Sequence, residues 1–371
     1  MFKASKAALK SALALSGDIV ERRNTIPILS NLLIERASRS ELQVRMTDLD
    51  IEGRILFEAE ADPNFQPFTV PAQLLREIVN KLPDGAEITV KAADADLRQV
   101  KVSAGRSTFT LQVLPANDFP DLTAGGFQAS FPVPAASLAK AMGAVAFAIS
   151  TEETRYYLNG IYLHAIDEGL MLVATDGHRL AKRFVSANPG ALPGIILPRK
   201  TVGILSKLLC DKSAKDAEVH VEASDQKVRF SLPGITITSK LVDGTFPDYR
   251  RVVPQSHIGS AELDGAVLKA AVDRVAVIST ERGRAARFRF EDATLTLEVN
   301  NPDAGNAQEI LTYDGDAKVE IGFNSKYVLE AIASLPDGPL LMEVSDAGSP
   351  AILRVDGDHR ENVVVLMPMR V

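Results

Sequence analysis

The sequence predicts an α+β chain made of one unit repeated three times, each unit carrying two helices packed on antiparallel sheets. Three landmarks recur at a common spacing. The segments FTVPAQLLREIVNKLPDG from Phe68, IILPRKTVGILSKLL from Ile195 and IGFNSKYVLEAIASLPDG from Ile321 each join a short apolar strand to an amphipathic helix. Their helix-opening residues Pro71, Pro198 and Asn324 lie 127 and 126 residues apart. Alternating strands start at Leu42, Leu170 and Leu295, 128 and 125 residues apart, and the first two run into Thr47-Asp48 and Thr175-Asp176. Phe-Pro followed by Asp recurs at Phe119 and Phe246, again 127 apart. A period this long describes whole domains, because solenoid units span only about 20–50 residues.

Taken in order, each unit reads helix, strands, helix, strands. First helices are predicted at 3–16, 135–149 and 265–277, and second helices at 71–82, 198–209 and 324–335. Between them, runs such as 170–174, 228–232 and 294–299 favour strand residues and an apolar/polar alternation, the pattern of antiparallel strands with one buried face. Pro83-Asp84-Gly85, Asp176-Gly177, Asp243-Gly244 and Pro336-Asp337-Gly338 punctuate them as turns. Connectors near Gly125-Gly126 and Pro254-Gln255 set domains at 1–126, 127–255 and 256–371. Two helices amid many strands per unit point to helices gathered on one side of the sheets.

Composition narrows the class. With 46% hydrophobic and 24% charged residues, the chain has what several buried cores need. No apolar stretch approaches the roughly 18 residues that cross a bilayer. The opening MFKASKAALKSALALSG interleaves Lys3, Lys6 and Lys10 with apolar residues at helical spacing, so it reads as a helix and not a signal peptide. The single cysteine, Cys210, rules out an intrachain disulfide and a cysteine-cluster metal site, and SKLLCDK reads as a buried helix end. A cytoplasmic protein follows from this cysteine usage.

Charge is segregated by element. The six predicted helices hold Lys3, Lys6, Lys10, Arg76, Lys81, Lys140, Arg199, Lys200, Lys207, Lys269, Arg274 and Lys326, against only Glu77, Asp273 and Glu330. The chain as a whole is acidic, with a formal net charge of −7, so strands and loops carry the acid. Lys3, Lys6 and Lys10 fall on one helix face at i, i+3 and i+7, and Lys200 and Lys207 share another. On any one helix such a face is ordinary solvated surface. Repeated on all six, it also fits a surface that attracts a phosphate backbone without reading its sequence.

No catalytic constellation accompanies these features. His164, His178, His220, His257 and His359 lack metal-ligand spacing. Neither a phosphate-cradling glycine loop nor a nucleophile elbow occurs. The densest polar motif, Thr175-Asp176-Gly177-His178-Arg179-Leu180, reads as a tight turn after a strand, with His178 and Arg179 as packing or binding residues. No catalytic residue, cofactor or metal is expected.

The motifs NTIPILSNLLIE, RYYLNGIYL, ATDGHRLA, FPDYRRVVP and the terminal VVVLMPMRV together resemble the bacterial DNA polymerase III beta subunit, the sliding-clamp family, over the entire chain. The resemblance implies three domains of the DNA clamp fold, a head-to-tail homodimeric ring around duplex DNA, and no catalytic activity. It implies DNA contact by the basic helices, with Arg23, Tyr156 and Tyr157 at matching positions; packing between strands accounts for Tyr157 equally well. Glu152 stands where relatives often carry a neutral polar residue.

It further implies that the polymerase catalytic subunit, the clamp loader and repair proteins insert a short peptide into an apolar pocket. The matching positions are Leu158, Thr175, Gly177, His178, Arg179, Leu180, Pro247, Arg251, Val252, Asn324, Tyr327, Val365, Leu366, Met367, Pro368, Met369 and Arg370. Adaptable methionine beside rigid proline suits a surface that accepts several related peptides. Gly283 replaces a bulky aromatic at one pocket position, which widens that edge. For the dimer contact, Phe109 and Leu111 match one side and Val277 and Ile278 the other, with Arg106 placed to pair with Asp303 or Glu309.

Overall fold

The computed structural model describes residues 1–22, 24–122, 125–211, 214–279, 284–358 and 361–371. Arg23, Gly283 and His359 lie outside the described residues. The chain forms two compact units, one of Met1–Ala135, Gly190–Pro193 and Cys210–Leu241, the other of Ala136–Pro189, Gly194–Leu209 and Val242–Val371. The middle repeat is shared between them, with four of its strands in the first unit.

In the first unit a five-stranded sheet runs in the order Glu60–Ala61, Phe2–Ser5, Glu87–Ala92, Gln99–Ala104, Ser107–Gln112. An eight-stranded sheet runs Ala129–Pro134, Glu218–Ala223, Lys227–Leu232, Ile235–Lys240, Ile51–Glu58, Glu41–Thr47, Asn31–Arg36, Phe68–Pro71. Here the middle repeat joins the first: Ile235–Lys240 lies antiparallel to Ile51–Glu58, with Ile237 opposite Gly53.

The second unit has a nine-stranded sheet in the order Ile195–Pro198, Gly160–Ile166, Gly169–Thr175, Arg179–Val185, Val363–Leu366, Ala351–Val355, Pro339–Val344, Gly259–Asp264, Asp314–Gly315. A four-stranded sheet runs Gly305–Thr312, Thr294–Asn301, Ala285–Glu291, Val319–Asn324. Arg179–Val185 pairs antiparallel with Val363–Leu366, Ala181 opposite Val364, so the middle repeat joins the third as it joins the first.

One repeat onwards, Ile51–Glu58 becomes Arg179–Val185 and then Gly305–Thr312. By the same shift Ser107–Gln112 becomes Ile235–Lys240 and then Val363–Leu366. Four of these six strands are consumed in the two internal joints. The other two, Ser107–Gln112 and Gly305–Thr312, end their sheets with one edge unpaired among the described residues.

The second helices form where their openers predict, at Ala72–Lys81, Arg199–Leu209 and Ser325–Ser334. Asn324 caps the last of these, its side chain accepting from the Lys326 and Tyr327 amides at 3.0 and 3.4 Å. Apolar residues three and four apart bury one face, as Leu75 and Val79 do in the first of them. The first helices of the second and third repeats are Ala135–Ala146 and Gly265–Ala276.

The N-terminal helix differs from the expectation of 3–16. Phe2–Ser5 is a strand paired with Glu87–Ala92, and the helix spans Lys6–Ala12, followed by a short helix at Ser16–Ile19. Ser5 is the reason: its hydroxyl accepts from the Ala8 amide at 3.1 Å, a cap that fixes the helix start after the strand. Cys210 is also corrected, since it is exposed at the end of Arg199–Leu209 and not buried.

Candidate binding sites

The motif around residues 175–180 is a turn saturated with hydrogen bonds. Thr175 Oγ1 donates to the Arg179 carbonyl at 2.7 Å and accepts from the Gly177 amide at 3.1 Å. Asp176 Oδ1 accepts from the His178 and Arg179 amides at 2.9 and 3.0 Å. Gly177 has φ +90°, a conformation glycine adopts without strain. The expected tight turn is therefore present, and its backbone has few conformations left.

Arg179 fastens this turn to two helices. Its buried guanidinium donates to Asp176 Oδ2 at 3.1 Å, to the Phe147 carbonyl at 2.5 Å and to Glu330. It lies between two rings, 4.3 Å from the Tyr327 centroid and 5.0 Å from that of Phe147. Five fixed donors and a flat face suit arginine to this position and lysine poorly. Arg179 thus shapes the surface from beneath.

Below the turn lies an apolar cluster of Leu158, Met171, Val173, Leu180, Ile196, Phe246, Tyr249 and Val365. Phe246 stacks on Tyr162 with centroids 4.8 Å apart and planes at 4°. The Tyr249 hydroxyl lies 3.0 Å from His164 Nε2, and His164 Nδ1 is 2.9 Å from the Ala165 carbonyl, so both ring nitrogens have a partner. Burial holds its pKa below the ordinary value of 6.5.

The C-terminal residues lie across this region. The Met367 amide donates to the His178 carbonyl and the Met369 amide to the Gly322 carbonyl, both at 2.9 Å. A Cβ on Gly322 would come within 2.4 Å of the Met369 carbonyl oxygen, so only glycine admits the tail this closely. Gly177, His178, Pro247, Arg251, Val252, Met367 and Arg370 are exposed; Asn324, Tyr327, Pro368 and Met369 are half-buried; Leu158, Thr175, Leu180, Val365 and Leu366 are buried. The predicted set therefore separates into a floor and a rim, all within the second unit. Phe147, Glu330, Phe246, Tyr249 and Gly322 join the site without having been expected there from the sequence. Of these, Gly322 was detectable as a glycine inside a strand, a signal of close backbone approach.

Among the predicted DNA-facing residues, Lys10, Lys81, Lys140, Tyr156, Arg199, Lys200 and Lys207 are exposed, while Arg76 and Tyr157 are half-buried. Lys3 lies on a strand, 3.5 Å from Glu87, and not on a helix. Lys6 is a correction: its buried ammonium donates to the Leu82 carbonyl at 2.5 Å and to Asp84 at 2.7 Å. It satisfies the end of Ala72–Lys81 and holds the Asp84 carboxyl below its usual pKa, so it is no part of a free cationic face. Tyr156 and Tyr157 make an edge contact at 5.8 Å. Glu152 pairs with Arg155 at 2.7 Å, which offsets its charge beside them.

Phe109 is 37% and Val277 81% exposed, Arg106 and Asp303 are exposed, Ile278 is half-buried and Leu111 is buried. Glu309 is bound within its own chain by two hydrogen bonds from Arg274, one at 3.0 Å. That contact lowers the Glu309 pKa and competes with the expected partner Arg106.

Three family models match in succession: the DNA polymerase III beta subunit N-terminal domain at residues 1–123, its central domain at 132–248 and its C-terminal domain at 250–370. The beta sliding clamp of Caulobacter vibrioides is 44% identical, covering 99% of this chain and 98% of that protein. The beta sliding clamp of Escherichia coli K12 is 37% identical, covering 94% and 93%. The crystal structure of a DnaN sliding clamp from Bartonella birtlesii bound to griselimycin superposes with a TM-score of 0.92 at 43% identity, covering 100% of both chains.

Proposed function

The chain belongs to the DNA polymerase III beta subunit family, the sliding clamps, and on that premise we propose that two copies join head to tail into a ring around duplex DNA. It is a sliding clamp, a processivity factor that tethers the polymerase to DNA and does not itself catalyse synthesis.

The observation that carries the ring is the pair of unused edges. Every repeat offers one strand to the repeat before it and another to the repeat after it, and Ser107–Gln112 and Gly305–Thr312 are the two that find no mate among the described residues. An unpaired edge is a template for another chain. A heterologous contact between two such edges closes when the rotation permits. Phe109, Leu111, Val277 and Ile278 supply its apolar part; Arg106 and Asp303 lie at its exposed margin, where ion pairs contribute only about 0–1 kcal/mol each.

Three domains, at 1–126, 127–255 and 256–371, form each half of the ring. Lys10, Arg76, Lys81, Lys140, Arg199, Lys200 and Lys207, with Tyr156 and Tyr157, face the DNA. Tight phosphate binding would prevent sliding, whereas weak contacts alone are lost in salt. A closed ring removes the conflict, because escape then requires opening a joint. The rim of His178, Pro247, Arg251, Val252, Met367 and Arg370 over its apolar floor receives a short peptide from the polymerase catalytic subunit, the clamp loader or repair proteins. No helix is long and apolar enough to cross a membrane among the described residues, and the ring works in the cytoplasm where the chromosome lies.

The test is retention on nicked circular DNA after loading with a cognate loader and ATP, followed by linearisation in moderately high salt. Protein that stays on circles and runs off linear ends is held topologically. Equal retention on both, or loss from both, rejects the ring.

A further inference from the structure

The internal joint of the second unit serves as a template for the joint between copies, and the helix layer of that template is as informative as its strands. In it, Phe147 follows the first helix Ala135–Ala146 and Tyr327 sits in the second helix Ser325–Ser334, three residues after its opener Asn324. The Arg179 guanidinium is wedged between their rings at 5.0 and 4.3 Å. Shifted by one repeat, Phe147 becomes Val277, the residue after Gly265–Ala276, and Tyr327 becomes Leu74, three residues after Pro71. Arg179 becomes Gly305, because strands beginning at Leu170 and Leu295 place Ala181 and Ala307 at equal positions, opposite Ala174 and Val299.

The unpaired residues have the character this predicts. Val277 is 81% and Leu74 50% exposed, although both are aliphatic; Val277 caps its helix and Leu74 lies within one. Each stands beside its own free edge. The hydroxyl of Thr69, just before the Leu74 helix, donates to the Leu114 carbonyl at 2.8 Å and accepts from the Leu114 amide at 3.0 Å, next to Ser107–Gln112. On the other side, Asn301 Nδ2 donates to the Ile278 carbonyl at 2.8 Å, and Arg274 binds Glu309 of Gly305–Thr312. Glycine, which has no side chain, stands at the position equivalent to Arg179.

We propose that Val277 of one copy packs directly on Leu74 of a second copy, a helix-layer contact beneath the paired edge strands. The inference rests on the head-to-tail reading above and adds to it the register and Leu74. The internal joints place Ile237 opposite Gly53 and Val364 opposite Ala181; the same shift places Phe109 of the second copy opposite Ala307. The half-exposed Phe109 ring is then covered from the helix side by Val277 and Leu74. Apolar contact of this kind is favoured wherever it removes exposed aliphatic surface from water.

Sedimentation equilibrium on the full chain tests it with charge exchange. Leu74→Asp alone and Val277→Lys alone are each expected to raise the dimer dissociation constant at least ten-fold, and the two together to restore most of it. A general loss of folding would not be rescued by the pair. Should Leu74→Asp fail to fold, a Leu74→Cys/Val277→Cys pair in a Cys210→Ser background decides by mild oxidation. Covalent dimers from the pair, and not from either single change, support the contact; their absence overturns it. A wild-type dimer with Leu74→Asp unchanged in affinity overturns this contact alone. A wild-type chain that stays monomeric removes the head-to-tail reading together with it.

Discussion

The two strand joints inside the chain share a backbone and differ in what fills them. In the first unit Glu52 lies opposite Thr47, and in the second Leu180 lies opposite Thr175. Both Thr-Asp pairs make the same turn: Asp48 Oδ1 accepts from the Ile51 amide at 2.7 Å as Asp176 Oδ1 accepts from that of Arg179 at 3.0 Å. Even the positive-φ residue recurs, Leu49 at +78° against Gly177 at +90°. Two residues before each threonine stand Arg45 and Val173. In the first joint Arg45 meets Glu52 at 3.0 Å, and Arg54 meets Glu52 at 2.6 Å and Asp121 at 3.1 Å. Phe119 lies beneath Arg45, 5.7 Å from the guanidinium. The second joint has Val173, Leu180 and the Phe246–Tyr162 stack in that region. The ionic filling pairs its own charges, although Arg45 Nε stays without a partner, whereas an apolar floor gains when another molecule covers it. This difference is what the proposed peptide site at the second joint rests on.

The largest effect should come from breaking the ionic filling. Glu52 is buried between Arg45 and Arg54, so Glu52→Ala leaves them only Glu35 and Asp121 and should cost about 3 kcal/mol in urea unfolding. Replacing Arg45 by Val together with Glu52 by Leu, the residues of the second joint, should cost far less than Glu52→Ala alone, because apolar pairs substitute well for buried ions. Equal losses for the single and double changes would mean that the two joints are not interchangeable scaffolds. In the second joint, Leu180→Ala should cost about 3 kcal/mol and weaken binding of a clamp-binding peptide, read by fluorescence anisotropy. Unchanged peptide affinity would show that the floor plays no part in binding.

Gly322→Ala should cost about 2 kcal/mol or less, by pushing the Met369 carbonyl aside, and should reduce peptide binding more than stability. A tail that stays in place, seen as unchanged proteolysis at Arg370, would contradict that. The smallest effect is a pH dependence. Because burial lowers the His164 pKa in the folded chain, the unfolded chain takes up a proton more readily. Stability attributable to His164 is therefore complete above the unfolded value near 6.5 and falls as pH drops below it. Urea midpoints at pH 7.5 and 5.5 should differ less in His164→Gln than in the wild type. Glu35 precedes the first joint's strand partner where His164 stands in the second, so no such imidazole contribution arises there.

Much of this was visible in the sequence because repetition exposes architecture without any packing information. Pro71, Pro198 and Asn324 marked three helix starts correctly, since a cap or a fixed φ acts within one turn of its own residue. The ATDGHRLA turn was legible for the same reason. Lys6 was not, because helical spacing places a lysine on a face without revealing that a carbonyl 76 residues away will bury it. The role of Arg179 is not legible in the sequence, because its Glu330 partner lies 151 positions along the chain. The closing of the first joint escaped notice too: Arg45 and Glu52 look like ordinary strand charges until the sheet brings them together.

The two unmatched edges also impose a growth rule. A body with complementary ends never exhausts them by adding copies; only curvature brings the last end back to the first. In the head-to-tail assembly proposed above, the joint between copies would reuse the strand geometry of the internal joints, and with it their curvature. A change that altered the angle at an internal joint, while leaving every contact intact, would then alter how many copies are needed for closure, and the failed product would be a filament rather than a monomer.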